Sequence, residues 1–238
     1  MIKVLHELSA LDGGGVAKLL YDYYRYMDNT VIHFDFLIYN YYDEGIFEKP
    51  LKDMGCNIYK LPRMDENREK CFAQMEKVMR DGQYDIVHCH MGGQSMYALH
   101  MAKKCGIPNR LVHSHIANEV LDFKHRITSK IKAKIAITEA TQLVACGREA
   151  GVYLYGKKAV EKGQVHIMTN SVESEKFLFK PEIRERIRTE MGIGDKLVLG
   201  IVARMSAQKN YGFLFKVYAE ILKQTDKVIL LVIGRGLE

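Results

Sequence analysis

Two cations, Arg204 and Lys209, sit in the stretch Gly200-Ile201-Val202-Ala203-Arg204-Met205-Ser206-Ala207-Gln208-Lys209-Asn210. An apolar run passes there into a short polar turn, and a helical pattern follows. A strand-to-helix crevice of that kind is where an open α/β sheet holds its ligand. Two fixed positive charges beside a helix N-terminus suit a diphosphate. A second strand-to-helix turn, Asp12-Gly13-Gly14-Gly15, lies near the start. Glycines there let a phosphate or sugar approach main-chain N–H groups. The spacing is neither the dinucleotide fingerprint nor a P-loop.

Histidines form the next set. His88-Cys89-His90 and His113-Ser114-His115 each end an apolar run. Residues i and i+2 of a strand share a face, so each pair can point one way. Hydrogen-bonded structural histidines, one site histidine among them, and a metal set all fit this pattern. The absence of an acidic residue from both clusters weighs against metal.

A last candidate is the basic segment Lys124-His125-Arg126-Ile127-Thr128-Ser129-Lys130-Ile131-Lys132-Ala133-Lys134-Ile135. Ile127, Ile131 and Ile135 make one helical stripe, expected to pack on the sheet. The surrounding cations fit attraction to anionic lipid headgroups, worth about 1 kcal/mol each near such a surface.

These residues need elements to position them. Apolar runs at Ile2–Leu8, Val31–Tyr39, Asn57–Leu61, Asp85–Cys89, Arg110–His115, Gln142–Cys146 and Val165–Met168 read as strands. Amphipathic patterns at Val16–Met27, Asp65–Asp81, Ser95–Cys105 and Leu121–Ile135 read as helices. Such alternation predicts a doubly wound parallel sheet. The pattern predicts a first domain over 1–180, a linker over 181–194, and the first β-α-β unit of a second domain over 195–238. An orphan unit of that size leaves an apolar face uncovered, so self-association is expected. Leu237-Glu238 read as a cloning scar and the C-terminus as a cut.

Bulk properties agree. The 238 residues are 47% hydrophobic with a net charge of +6, enough apolar material for one full core. Five scattered cysteines without a Cys-x-x-Cys pair indicate reduced thiols. No membrane-spanning run or signal peptide is evident, so the expected location is cytoplasmic, with peripheral contact at the inner membrane face. No dense Arg/Lys block interleaved with aromatics points to nucleic acid.

Taken in order, these features resemble the retaining glycosyltransferases of family 4, with the GT-B fold. The resemblance rests on Gly13 to Gly15, Asp85-Ile86-Val87-His88-Cys89-His90, Arg110-Leu111-Val112-His113-Ser114-His115, Asn170-Ser171-Val172-Glu173 with Phe177, Arg204 to Asn210, and Val232-Ile233-Gly234-Arg235-Gly236. Ser171 stands where the family has glycine. The resemblance implies a nucleotide-sugar donor, UDP-linked by expectation, whose diphosphate meets Arg204 and Lys209 with help from Gly13, Gly14 and Gly15. It implies His115 as the histidine beside the sugar, and His90, His113, Asn170, Ser171 and Gly234 as further site candidates. It implies no cofactor and no metal, and a glycan or lipid-linked acceptor entering over the N-terminal lobe. The family's Glu-x7-Glu element is expected beyond residue 238, so the chain alone is expected to be inactive. A sugar-nucleotide epimerase, a non-catalytic nucleotide- or sugar-binding module and a histidine-metal hydrolase are the competing readings.

Overall fold

The computed structural model describes residues 1–39, 44–117, 123–234 and 236. Leu121, Arg235 and the Leu237-Glu238 pair, to which the sequence reading gave roles, lie outside the described residues. The chain divides into two compact units, Met1–Val172 and Glu173–Glu238.

The first unit alternates strands and helices: β1 (Ile2–Leu8), α1 (Gly15–Tyr26), β2 (Ile32–Ile38), α2 (Glu48–Asp53), β3 (Ile58–Lys60), α3 (Arg68–Gly82), β4 (Ile86–Cys89), α4 (Met96–Lys104), β5 (Asn109–Ser114), α5 (Phe123–Glu139), β6 (Gln142–Ala145), α6 (Arg148–Tyr155), α7 (Lys157–Glu161) and β7 (Val165–Ile167). The strands form one seven-stranded sheet in the order β3-β2-β1-β4-β5-β6-β7. Every pairing is parallel, with Val4 opposite Ile86 and His6 opposite His88 where β1 meets β4. Strand order reverses between β1 and β4. That is the switch point, where loops from both strands diverge and leave a crevice.

Two cores sandwich this sheet. Strand alternation sends Val4, Leu8, Phe34, Phe36 and Ile38 to one face, against Ala17, Leu20 and Tyr24 of α1 and Leu51 of α2. Leu5, Leu37, Val87 and Val112 point to the other face, against Met75 and Met79 of α3, Leu99 of α4 and Ala136 of α5. Both faces being covered explains the near-continuous apolar strands.

The second unit holds α8 (Pro181–Glu190), β8 (Leu197–Val202), α9 (Tyr211–Leu222) and β9 (Val228–Ile233). β8 and β9 pair in parallel as a two-stranded sheet. Pro181 opens α8, where its missing N–H costs no helical bond. The segment 181–194, expected as a linker, is therefore largely helix and groups with this second unit.

One expectation is overturned. Ile127, Ile131 and Ile135 of α5 do not pack on the sheet; they are 46%, 55% and 41% exposed. Small residues face inward instead. Ala136 is fully buried, and a Cβ added to Gly93 would sit 2.9 Å from the Ala133 nitrogen. The helix approaches the turn before α4 too closely for isoleucine, so the bulky stripe turns outward.

Candidate functional site

The switch point gathers five histidines. His6 comes from β1, His88 and His90 from the end of β4, and His113 and His115 from the end of β5. Parity and register put all five on the face of the sheet that carries Val4 and Phe34. His6, His88, His90 and His113 are buried and His115 half-buried. His6 Nδ1 lies 3.0 Å from His90 Nε2, and His90 Nδ1 lies 3.0 Å from His115 Nε2. His88 Nε2 lies 3.2 Å from His113 Nδ1, with the rings stacked at 5.2 Å.

Burial holds these imidazoles neutral. Loss of solvent pushes His88 down to about 3, His113 to about 2 and His115 to about 4, with neighbouring histidines adding to the first two. His6 and His90 move well below the usual imidazole value for the same reasons. Neutral imidazole is the ligating form, and the sets His6/His88/His90 and His90/His113/His115 each hold ligand nitrogens within 4.8 Å of one another. Neither set includes a carboxylate or thiolate to offset a buried divalent charge.

The opposite face of the same strand ends is acidic. Glu7 is buried, and Cys89 beside it on β4 is buried too. Tyr39 Oη donates to one Glu7 oxygen at 3.0 Å and Ser95 Oγ donates to the other at 2.9 Å. Burial raises the Glu7 carboxyl above its ordinary value, against the opposing pull of those bonds. Glu7 forms part of the wall of a cavity of about 500 Å³ with Arg63, Arg68, Gln94, Tyr97 and Lys132. The Arg68 guanidinium lies 5.3 Å from the Tyr97 ring centre, and Lys132 Nζ donates to Gln94 Oε1 at 3.0 Å. The cavity thus has an acid in its wall, cations around it and an aromatic side, a combination suited to a polar ligand with an anionic part.

Gly13, Gly14 and Gly15 lead from β1 into α1. Gly14 N–H donates to Asp12 Oδ1 at 2.8 Å. None of the three has positive φ, so the backbone does not need glycine for its conformation there. A Cβ on Gly14 would come within 2.8 Å of Asp12 Oδ1, whereas nothing lies within 4 Å of one on Gly15, so the start of α1 is open. No side chain caps α1, and its first turn carries no acidic residue. Its opening N–H groups are thus available to an anion. Asn170 and Ser171 are exposed in the segment after β7, where the Thr169 carbonyl accepts from Tyr23 Oη of α1 at 3.3 Å.

In the second unit, Arg204 and Lys209 lie in the β8–α9 connection, both exposed. Asn210, at φ 50°, caps α9 by accepting from the Phe213 N–H. Gly234, just past β9, has a packing role. A Cβ there would come within 1.9 Å of the Ala203 carbonyl oxygen. Only glycine lets the ends of β8 and β9 run so close. A larger cavity of about 740 Å³ lies at the amino end of β8, the edge opposite the cations. Arg188 in its wall is already bonded to the Gly194 and Lys196 carbonyls.

A doubly wound sheet with its switch-point crevice, followed by a unit that starts a second parallel sheet, defines the architecture. This is the Rossmann-like fold of the GT-B proteins. The chain matches Anabaena HepE, solved with UDP and glucose, at a TM-score of 0.71 and 16% identity, over 100% of this chain and 62% of that one. It also matches a Listeria monocytogenes protein bearing the name of a UDP-N-acetylglucosamine 2-epimerase, at a TM-score of 0.59 and 13% identity, over 97% of this chain and 62% of that one. In sequence it is 28% identical over 239 residues to EpsF of Bacillus subtilis (strain 168), whose name is that of a glycosyltransferase. That match covers 98% of this chain and 62% of EpsF, so the chain spans under two thirds of its relative. No protein-family model matches the chain.

The sequence reading found His90, His113 and His115, and the structure brings them together. It missed His6 and Glu7. The signal for His6 was a histidine at the parity of Val4 and Leu8 in a strand with apolar residues on both faces. What the sequence lacked was the pairing of β1 with β4, which makes His6 a neighbour of His88.

Proposed function

We propose that the protein is a glycosyltransferase, metal-independent and retaining, that moves a sugar from a UDP-sugar to a glycan or lipid-linked acceptor. The observation that carries this is the placement of Arg204 and Lys209. Both side chains stand exposed at the carboxyl edge of β8–β9, and neither side chain has a hydrogen bond or ion pair among the described residues, although the Lys209 backbone N–H donates to the Ser206 carbonyl at 2.8 Å. Fixed cations there stabilise the charge that develops on a departing diphosphate. The co-linear similarity to EpsF and the UDP complex of HepE support the choice of donor. In this reading the first unit by itself contributes an anion-binding element, the α1 N-terminus with Gly13 to Gly15, and His115 as the histidine for the sugar. The cavity of Glu7, Arg68 and Lys132 takes the acceptor.

Helix α5 supplies the membrane contact. Its exposed Ile127, Ile131 and Ile135 lie among Lys124, Arg126, Lys130 and Lys134, with no acidic residue before Glu139. An outward apolar stripe edged by cations fits the interface of an anionic bilayer. No helix of the described residues is long and apolar enough to cross a membrane. Vesicles rich in phosphatidylserine should bind the protein, and Ile131→Glu should reduce that binding about thirtyfold, since the lost apolar insertion and the added like charge each weaken it by about 1 kcal/mol. Equal binding of wild type and variant removes the membrane reading.

The donor reading is tested by calorimetric titration of the protein with UDP. Arg204→Ala and Lys209→Ala should each weaken binding about tenfold or more, the worth of one charge-assisted contact. Unchanged affinity in both variants refutes it. The epimerase-named neighbour keeps a second reading alive. Radiolabelled sugar recovered on an acceptor supports transfer; label recovered only as an isomerised nucleotide-sugar supports epimerisation.

A further inference from the structure

His6, His90 and His115 form an unbranched chain of imidazoles that runs from the core to the edge of the crevice. Its two links are the 3.0 Å contacts His6 Nδ1–His90 Nε2 and His90 Nδ1–His115 Nε2. The two terminal atoms, His6 Nε2 and His115 Nδ1, are buried and have no hydrogen-bond partner among the described residues. A neutral imidazole carries one N–H and one bare nitrogen, so proton counting restricts this chain severely. Both links form only if all three rings point their N–H the same way. With hydrogen on every Nδ1, His6 donates to His90 and His90 donates to His115. With hydrogen on every Nε2, each donation reverses. Any mixture leaves one link with two facing protons or two facing lone pairs.

It follows that the two ends are complementary. When His115 Nδ1 is a donor, His6 Nε2 is a bare acceptor in the core; when His115 Nδ1 is an acceptor, His6 Nε2 carries the proton. The surroundings of His6 therefore bear on the edge of the crevice two rings away. His6 sits against aromatic rings, with the Phe34 centroid at 4.2 Å edge-on and the Phe36 centroid at 5.7 Å. That wall fixes the orientation of the first ring and offers it no lone-pair acceptor, so the chain has little means of bending around a mismatch.

We propose that His6 and His90 are positioning residues for His115, holding the three rings in one common tautomer and so fixing whether His115 Nδ1 donates or accepts. The role at a sugar rests on the proposed function above; the coupling itself does not. A group that binds a sugar hydroxyl or a phosphate oxygen needs a defined hydrogen-bond sense, because a buried polar atom of the wrong sense loses its bond and its solvation together.

The test is a long-range ¹H–¹⁵N correlation spectrum of the histidine-labelled 238-residue chain at pH 7.5. The expected result is a single tautomer, the same for His6, His90 and His115. Opposite tautomers at any two of them, or averaged shifts at all three, overturn the proposal. His6→Phe keeps a ring and removes both nitrogens; it should release His115 into a tautomer mixture although the two rings are not bonded to each other. An unchanged His115 spectrum in that variant also overturns the proposal. His6→Gln is the second variant should His6→Phe fail to fold, and the wild-type spectrum is decisive without either. In a sugar-transfer assay, His6→Phe should lower kcat about tenfold or more, within the range that correctly placed acid–base groups supply, with KM little changed. Undiminished turnover alongside a common tautomer overturns the positioning role, and it leaves the Arg204 and Lys209 measurements to judge the donor reading separately.

Discussion

The first unit covers both faces of a seven-stranded sheet, and the second covers less of a two-stranded one. Phe36, Leu37 and Leu5 are fully buried in the first. In the second, among the described residues, the buried apolar side chains are Ile193, Tyr211 and Val228, while Phe213 is 63% exposed. The same β-α-β grammar therefore yields two kinds of structure. Helices on both faces of a wide sheet make a core that can bury polar groups; two helices and two strands do not. The difference explains where each unit keeps its polar chemistry. The first unit holds neutral histidines, and a carboxyl whose pKa burial raises, inside a low-dielectric core. The second carries Arg204 and Lys209 in water, where charge costs little to maintain.

Acid should produce the largest contrast. Each core histidine titrates lower in the folded chain than in the unfolded one. Between the unfolded value near 6.5 and the folded values of about 4, 3 and 2, the unfolded chain binds more protons, so stability falls as pH falls. The slope approaches about 1.4 kcal/mol per pH unit for each histidine. Glu7 acts in the opposite sense, because its raised carboxyl binds a proton in the folded state first; one group of this kind offsets part of the loss. Urea denaturation followed at pH 7, 6 and 5 should show a steep decline for the first unit. A flat profile would mean that the histidines are solvated.

Substitution of matched aromatic residues is the next contrast. Phe36→Ala should destabilise the first unit by about 3–5 kcal/mol, whereas Phe213→Ala should change stability by no more than about 0.5 kcal/mol. Equal effects, measured by chemical denaturation, would show that Phe213 is buried in solution, by self-association for instance, which sedimentation would detect. Gly234→Ala should cost about 1–3 kcal/mol in the second unit, because the Ala203 carbonyl must move. Hydrogen exchange of β8 and β9 amides is the readout, with the first unit as the internal reference. Smallest is Glu7→Gln, expected to shift stability by under about 1.5 kcal/mol at pH 7, since an amide keeps the shape of a carboxyl that burial already favours in its neutral form. A loss of several kcal/mol would show that Glu7 is ionised in place.

Much of this was legible in advance because it is local. The alternation of apolar runs and helical patterns set the seven strands of the first unit to within a residue, but α3 starts three residues later and α5 ends four residues later than the pattern suggests, and α2, α6 and α7 were not singled out. Pairing of His88 with His90, and of His113 with His115, on one face follows from a period of two. Arg204 and Lys209 were placed at a strand-to-helix turn by pattern alone. The α5 stripe shows the limit. Periodicity correctly put Ile127, Ile131 and Ile135 on one side of a helix, but it could not say which side faces protein. That was decided by Gly93 and Ala133, which bring two backbones too close for a branched side chain.

The sequence by itself determined the elements, their order and the chemical character of each strand end, because those depend on neighbours a few residues apart. Tertiary structure alone decided that β1 lies beside β4, across nearly eighty residues. That one pairing sets His6 against His90, places Glu7 on the opposite face and opens the crevice between their loops. Hydrogen bonds between strands are made by backbone that every residue shares, so which strands pair is settled by how the whole core packs, not by the letters of either strand.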